Sequence, residues 1–350
     1  MRSNRMSTIT FNPRLNLQIG KESHQHGPVI EENEGLIKVY NDGYVERLPI
    51  VPNVAPTVAA PELGVISKDV IIDKFTGIWA RFYVPRCQLK LPLMVYFHGG
   101  GFCVGSASWS CYHEFLAKLA SKAGCVIMSV NYRLAPENRL PAAYEDGCNA
   151  VMWVKHEALN GSVDQRWWCS QCNFSKVFLA GDSAGANIAH NVVSRLGSLV
   201  AATDQCTIPK PLCIKAVILI QPFFGGEART HSERYMTQPP TSALTLPASD
   251  VYWRLSLPIG ANCDNPWCNP LGGTNLEALR LPPTLVCISE MDILRDRNLE
   301  FCTAMARAGK RVEQVVYKGV GHAFQILNNS QVSQLRTHEM ISHIKAFMNQ

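Results

Sequence analysis

The sequence predicts an α/β protein with a mostly parallel central sheet that is flanked by helices on both faces. Two observations favour this fold class. Short apolar runs of strand length alternate with longer helix-like segments along much of the chain. Several of these runs end in glycine-rich or polar loops, as parallel strands do where their carboxyl ends meet at a functional edge of the sheet. With 350 residues, the chain can bury a sizeable core.

The composition limits the classes of function. Hydrophobic residues make up 47% of the chain and charged residues 17%, and the formal net charge is +5 without a basic stripe. Nucleic-acid binding therefore has little support. No apolar stretch approaches the roughly 18 residues that would suggest a membrane span, and no apolar signal-like region stands near the N-terminus. We expect a cytoplasmic protein, with the nucleus left open as a second location.

The first 33 residues are expected to form a disordered tail. They are polar, include several basic residues and contain no acidic residue before Glu22. This composition faintly resembles an organelle transit peptide, but no apolar helical face accompanies the charges. Organelle targeting is therefore disfavoured without being excluded. From residue 34 the pattern changes, and residues 34–350 are expected to form one domain.

Turn signals and apolar runs place the elements of that domain in order. An Asp42-Gly43 turn between two short apolar runs predicts a hairpin over 35–48, and a proline-rich segment over 49–61 is expected to be extended. Further strands are predicted at 70–72, 79–84, 93–97, 125–130, 177–180, 214–220, 284–289 and 312–317. Helices are predicted at 112–123, 142–156, 184–196 and 294–307.

A long segment over 221–283 interrupts the alternation. It contains a stretch rich in Ser, Thr and Pro and then a helix-like stretch that holds Tyr252, Trp253 and Leu255. An insertion of this length in an α/β domain is more typical of a lid or pocket wall than of a structureless loop. Its aromatic residues fit a role in the hydrophobic core equally well.

The most informative stretch is 176–196, which reads KVFLAGDSAGANIAHNVVSRL. An apolar run before Gly181 predicts a strand, and apolar residues at helical spacing after Ala184 predict a helix. Between them Gly181-Asp182-Ser183-Ala184-Gly185 is a G-x-S-x-G motif in the strand, turn and helix setting that exposes a nucleophilic serine. A simple turn would explain the pentapeptide equally well, so other parts of the chain must support the assignment.

A serine nucleophile needs a base and a group that orients the base, and both have candidates that follow strands. Asp292 follows the predicted strand 284–289, and His322 follows the strand 312–317. The chain order Ser183, Asp292, His322 is that of the α/β-hydrolase arrangement. We expect His322 to act as the base and Asp292 to orient its ring.

Donors for the oxyanion that forms on such an attack are also present in the sequence. A second glycine-rich loop, His98-Gly99-Gly100-Gly101, follows the predicted strand 93–97. We expect the backbone N–H groups of Gly100 and Gly101 to form the oxyanion hole together with that of Ala184, at the start of a helix.

Four other polar residues occur near these motifs in the sequence, and each is interpreted without a catalytic role. Asp296 is the rival of Asp292, but it falls inside a predicted helix. His98 is expected to be structural because it lies on the oxyanion side, and His190 is expected to have a packing or surface role. Asp182 is expected to orient the turn and its neighbouring loops by hydrogen bonds rather than to transfer protons.

The thirteen cysteines do not indicate a disulfide framework, since their number is odd and most lie inside apolar runs. Cys169 and Cys172 form an isolated C-x-x-C without a second pair at the spacing of a zinc site. We therefore expect neither a metal nor an organic cofactor.

Five segments together resemble the hormone-sensitive-lipase class of α/β-hydrolases: HGGG at 98–101, NYRLAPE at 131–137, GDSAGAN at 181–187, MDILRD at 291–296 and GHAF at 321–324. More narrowly, GLIKVYNDGYVER and QPFFGG, the latter similar to HPFFGG, resemble the plant carboxylesterases of that class. The resemblance extends from about residue 34 to the C-terminus. It implies a serine esterase whose pocket is capped by an N-terminal segment, about 34–65, and by inserted helices within 221–283.

The same class includes plant gibberellin receptors, in which the catalytic histidine is replaced, and dehydratases, in which the serine has become threonine. Ser183 and His322 are both intact here. We expect a carboxylesterase that hydrolyses small to medium esters through an acyl-enzyme, with a small-molecule hormone receptor as the alternative. A lipase acting on long-chain glycerides is disfavoured because no amphipathic interfacial helix is evident. The acyl and alcohol groups of the substrate do not follow from the sequence.

Overall fold

The computed structural model of the chain describes residues 26–56, 63–198, 210–239, 242–327 and 329–350. The disordered tail expected over residues 1–33 therefore lies outside the described residues as far as residue 25. The same is true of residues 57–62 in the proline-rich segment. Among the described residues, no helix is long and apolar enough to span a membrane.

The first three strands form a small antiparallel sheet. It comprises β1 (Val29–Asn33), β2 (Ile37–Tyr40) and β3 (Val45–Arg47), paired in that order. The hairpin predicted at the Asp42-Gly43 turn is confirmed by the pairing of β2 with β3. Residues 1–33 were expected to form a disordered tail, but residues 29–33 of this segment form strand β1. Its sequence VIEEN is largely polar, but backbone pairing with β2 does not require apolar side chains.

The central sheet has the strand order β11-β10-β9-β8-β6-β7-β5-β4 in the described part of the chain. Its strands are β4 (Val65–Asp73), β5 (Ile78–Pro85), β6 (Leu91–Phe97), β7 (Val126–Asn131), β8 (Cys172–Asp182), β9 (Ile214–Ile220), β10 (Thr284–Ser289) and β11 (Val312–Tyr317). Strand β5 is antiparallel to both of its neighbours, whereas the other pairs are parallel. The predicted mostly parallel sheet is confirmed.

The helices follow the strands along the chain. They are α1 (Ser110–Ala123), α2 (Ala142–Asn160), α3 (Arg166–Cys169), α4 (Ala184–Ser198), α5 (His231–Tyr235), α6 (Leu246–Ser256), α7 (Arg295–Arg307), α8 (Phe324–Leu327) and α9 (Gln331–Met348). Helix α9, which packs against α1, was not predicted from the sequence, and neither were the short helices α3, α5 and α8.

Strand β6 shows how the sheet separates two hydrophobic cores. Leu93, Val95 and Phe97 are buried in the core that includes residues of α2 and α4. Met94 and Tyr96 are buried in the other core, which includes residues of α1 and α9. Successive side chains of a strand point to opposite faces, so a strand buried on both faces is apolar throughout. The helices therefore cover both faces, as predicted.

The insertion between β9 and β10 contains α5 and α6. Helix α6 confirms the helix predicted around Tyr252, and it packs against β1. Trp253 of α6 is 2% exposed and stacks on Phe223 with 4.5 Å between the ring centroids. Tyr252 and Trp253 of α6 are thus part of the hydrophobic core.

Candidate active site

Ser183 lies in a sharp turn between the end of β8 and the start of α4. Its φ of +52° is in the left-handed region, which is unfavourable for a residue with a side chain. Glycine is required on both sides of the turn. A Cβ on Gly181 would overlap the carbonyl group of Gly185, and a Cβ on Gly185 would overlap the carbonyl oxygen of Phe97 at the end of β6. The sequence motif therefore folds as the strained strand-to-helix turn that was predicted for it.

Ser183, His322 and Asp292 form one chain of hydrogen bonds. Ser183 Oγ lies 2.9 Å from His322 Nε2, and His322 Nδ1 lies 2.7 Å from Asp292 Oδ2. Asp292 also accepts the N–H of Leu294 at 3.0 Å, which fixes the carboxylate. All three side chains are buried. A carboxylate can only accept, so Nδ1 carries the proton and the lone pair of Nε2 faces the serine hydroxyl.

The three residues come together because each follows a strand of the same sheet. Ser183 follows β8, Asp292 follows β10 and His322 follows β11. Strands β8, β10 and β11 are parallel through β9, so their carboxyl ends lie along one edge.

The rival carboxylate, Asp296, is held elsewhere. Its oxygens accept the N–H of Ser232 at 2.6 Å and the guanidinium Nε of Arg295 at 3.1 Å. Asp296 therefore connects α7 to the insertion, whereas Asp292 is the carboxylate that contacts His322.

The loop after β6 provides backbone donors beside the nucleophile. Gly100 has a φ of +112° and Gly101 a φ of +57°. A Cβ on Gly99 would lie 3.1 Å from the Cβ of Ser183, which shows how closely the loop approaches the turn. Among the described residues, no acceptor is found for the N–H groups of Gly100, Gly101 and Ala184. All three N–H groups thus remain without a partner in the described part of the chain.

Asp182 links the serine turn to this loop. It accepts the hydroxyl protons of Tyr96 at 2.7 Å and Tyr112 at 2.9 Å and the N–H of Gly99 at 3.1 Å. Burial raises the pKa of Asp182 to about 6, and the hydrogen bonds from the two tyrosines oppose that rise. The carboxylate thus contacts scaffold groups on both sides of Ser183.

Two histidines near the site make other contacts. His98 stacks on Tyr132 at 4.3 Å, and its Nδ1 lies 2.8 Å from the carbonyl oxygen of Gly99. His190 packs edge-on against Phe224 and Phe301. Burial lowers the pKa of each ring to about 4, so both are neutral near pH 7.

Arg47 of β3 has a role that the sequence analysis did not foresee. Its guanidinium donates to the carbonyl oxygens of Cys103 at 2.6 Å and Ala135 at 2.8 Å and forms a two-pronged ion pair with Glu137. The small antiparallel sheet of β1–β3 is thereby attached to the loop that follows β6. Nothing in the sequence singled out this arginine, because its partners are 56 to 90 residues away along the chain.

The cysteines and other candidate metal ligands are dispersed. Within the described ranges, no group of three or more His, Cys, Asp or Glu side chains could hold a metal ion. Cys169 is half-buried and donates to the carbonyl oxygen of Glu157, and Cys172 is buried at the start of β8. The expectation that the protein needs no metal or organic cofactor remains a prediction.

Comparisons with known proteins agree with this geometry. A profile of the α/β-hydrolase fold matches residues 94–326. The Arabidopsis thaliana protein named probable carboxylesterase 6 is 52% identical, over 93% of this chain and 94% of that protein. The 2-hydroxyisoflavanone dehydratase of Glycyrrhiza echinata is 37% identical, over 83% of this chain and 88% of that enzyme. An esterase of Pyrobaculum calidifontis superposes with a TM-score of 0.66 at 28% identity, covering 80% of this chain and 85% of that structure.

Proposed function

Because the chain belongs to the α/β-hydrolase family, we propose that Ser183, His322 and Asp292 are the catalytic triad with which it hydrolyses carboxylic esters. The protein is a carboxylesterase, like its Arabidopsis relative. The observation that carries the assignment of the triad is the unbroken chain of hydrogen bonds from Ser183 Oγ through His322 to Asp292.

In the first half of the proposed reaction, Ser183 Oγ attacks the ester carbonyl carbon while His322 Nε2 takes the hydroxyl proton. Asp292 holds the ring in the required tautomer and stabilises the imidazolium that forms. The tetrahedral intermediate then collapses, and His322 gives its proton to the departing alcohol. An acyl group remains on Ser183.

In the second half, water takes the place of the alcohol. His322 accepts a proton from the water, which attacks the acyl carbon, and then returns the proton to Ser183 Oγ as the acid leaves. Each proton that moves is thus carried by the same ring nitrogen. The reaction requires only the ester and water, so no metal or organic cofactor enters it.

The N–H groups of Gly100, Gly101 and Ala184 are proposed to bind the oxyanion in both halves. Backbone donors that are already in position stabilise the developing charge without reorganisation, and the loss of one such donor costs about 10²-fold to 10³-fold in kcat. The lack of acceptors for these donors among the described residues supports the assignment.

We further propose that residues 34–350 form one domain in which 34–65 and 221–283 cap the pocket. The ring of Tyr252 in α6 lies directly against Gly101, since a Cβ on that glycine would overlap it. Arg47 binds the other end of the same loop through the carbonyl oxygen of Cys103. Both proposed cap segments therefore touch the proposed oxyanion loop, and we infer that they select the small to medium esters that enter.

The alternative of a small-molecule receptor is not favoured. A protein that only binds its ligand has no need for a serine that is hydrogen-bonded to a histidine base. Here the serine, the histidine and the aspartate are all present and bonded to one another. Turnover of an ester by the purified protein would separate the two functions.

The test is hydrolysis of short-chain p-nitrophenyl esters by the wild-type protein and by Ser183→Ala. We expect the variant to fold normally and to lose at least about 10⁴-fold in kcat, because the nucleophile is absent. Ser194→Ala is the matched control, since this serine lies on α4 and its hydroxyl donates to the carbonyl oxygen of His190. Retained turnover in Ser183→Ala would disprove the assignment. A series of acyl chain lengths on the wild-type protein would define the substrate range.

A further inference from the structure

Gln221 is a buried polar residue at the edge of the sheet that carries the proposed triad. It directly follows β9 and is 1% exposed. Its backbone is left-handed, with a φ of +47°, and its N–H donates to the carbonyl oxygen of Cys287 in β10 at 2.7 Å. A buried amide side chain is costly unless its polar atoms are hydrogen-bonded. Its partners therefore indicate what this residue holds in place.

The side chain of Gln221 connects two strand ends to the loop of the proposed base. Its Oε1 accepts the N–H of Ala323 at 2.7 Å, and its Nε2 donates to Ser289 Oγ at 2.7 Å. Ala323 directly follows His322 and is itself left-handed, with a φ of +57°. A backbone N–H can only donate, so Oε1 must face Ala323 and the orientation of the amide is fixed.

The residues on either side of Gln221 hold the nucleophile. The carbonyl oxygen of Ile220 accepts the N–H of Ser183 at 2.8 Å, and the N–H of Phe223 donates to the carbonyl oxygen of Ser183 at 3.0 Å. One four-residue segment therefore holds the serine through its backbone and the loop of the base through a side chain. The distance between Ser183 and His322 therefore depends on how this segment holds the two residues.

We propose that Gln221 is a positioning residue, whose side-chain amide holds the His322 loop at hydrogen-bond distance from Ser183. The proposal rests on the catalytic roles proposed above for those two residues. Gln221 touches neither of their reacting atoms and acts through Ala323. A left-handed backbone is unfavourable at alanine, so that residue needs an external bond to keep its conformation.

Replacement by methionine tests the proposal because it keeps the length and burial of the side chain and removes both hydrogen bonds. A catalytic group displaced by about 1 Å can lose about 10²-fold in rate. We expect kcat of Gln221→Met for a short-chain p-nitrophenyl ester to fall by that factor while KM stays near the wild-type value. The rate of covalent labelling of Ser183 by a fluorophosphonate should fall in parallel.

Two further variants separate positioning from packing. Gln221→Glu keeps an acceptor for Ala323 whether or not the carboxyl is ionised, and the Ser289 hydroxyl can either accept from it or donate to it. This variant should recover most of the lost kcat. Gln325→Met is the matched control, because Gln325 is a buried glutamine in α8 whose side-chain N and O find no hydrogen-bond partner in the described part of the chain. Its kcat should remain close to that of the wild type.

The proposal is overturned if Gln221→Met keeps the wild-type kcat, if it changes only KM, or if Gln325→Met loses as much. Should Gln221→Met fail to fold, Ser289→Ala takes its place, since it removes only the partner of Nε2. It must then lower kcat at constant KM, and an unchanged kcat overturns the proposal. If the wild-type protein neither hydrolyses esters nor takes up the fluorophosphonate at Ser183, the proposed function has failed instead.

Discussion

Asp182 should make the protein less stable as the pH rises from about 4 to 7, and Asp182→Asn should remove this effect. The carboxyl is 1% exposed and beside the nucleophile. Burial raises its pKa from 3.8 to about 6 in the folded protein, against the hydrogen bonds from Tyr96 and Tyr112. The folded state therefore holds the proton more tightly than the unfolded chain. The stabilisation is fully present below pH 3.8 and is lost as the pH passes through 6.

The size of the effect follows from the two pKa values. A difference of about two units corresponds to about 3 kcal/mol of unfolding free energy over the whole range, at 1.36 kcal/mol per unit. Between pH 4.5 and pH 7.5 the part that titrates is about 2 kcal/mol. An asparagine has no titrating proton. The free energy of unfolding of the variant should therefore rise by about this amount, relative to that of the wild type, between the two pH values.

The measurement is urea unfolding of both proteins at a series of pH values, with the variant compared to the wild type at each. Titrating groups that do not interact with Asp182 contribute equally to both proteins and cancel in the difference. Tyr96→Phe provides an internal check, because it removes a hydrogen bond that lowers the pKa of the carboxyl. In this variant the loss of stability should extend to higher pH.

If the difference in unfolding free energy between variant and wild type does not change with pH, burial does not raise the pKa of Asp182 as argued. A difference of the opposite sign would show that the donors around the carboxylate outweigh its burial, so that the folded pKa lies below 3.8. In that case Asp182 would stabilise the fold as an anion, and acid would weaken the link between the serine turn and the glycine loop.

Two further predictions test other parts of the proposed site. Asp292→Asn should lower kcat by about 10⁴-fold, since the wrong tautomer of the base is then favoured, whereas Asp296→Asn should leave kcat unchanged in the same ester assay. Equal losses of kcat in the two variants would contradict the assignment of Asp292, and not Asp296, as the residue that orients His322. Gly101→Ala should lower kcat by about 10²-fold to 10³-fold, because its Cβ would overlap the ring of Tyr252 and displace a proposed oxyanion donor. Wild-type kcat in that variant would exclude the loop from the oxyanion hole.

Much of the fold could be predicted because the strands are buried on both faces. Such strands are apolar throughout, so runs such as 93–97 and 214–220 stand out from the amphipathic helices between them. The order of the strands in the sheet could not be predicted from these runs, because a strand that is apolar on both faces carries no feature that specifies which strand lies beside it. Strand β1 was missed because its sequence is largely polar and shows no apolar alternation, while its pairing with β2 depends on backbone hydrogen bonds.

The candidate site was predictable where a side chain carries the chemistry. Ser183, Asp292 and His322 are recognisable as residue types at strand ends, and glycines mark the loop before α1. The supporting contacts had no comparable signal. Gln221 and Arg47 act through bonds to backbone groups of residues distant in the sequence, at 2.7 Å to Ala323 and 2.6 Å to Cys103. Any polar residue of suitable length could make such bonds, so only the folded chain reveals them.

The distribution of backbone strain gives an independent indication of where the function lies. Among the described residues, the non-glycine positions with a left-handed backbone are Phe102, Ser183, Gln221 and Ala323. Each lies in a loop at the carboxyl edge of the sheet, after β6, β8, β9 and β11. Strain of this kind costs on the order of 1 kcal/mol or more at each position and persists only where surrounding contacts impose it. No such position occurs in the described loops at the opposite edge. The fold therefore tolerates unfavourable backbone conformations at the edge of the sheet where Ser183 meets His322 and where the oxyanion donors are proposed.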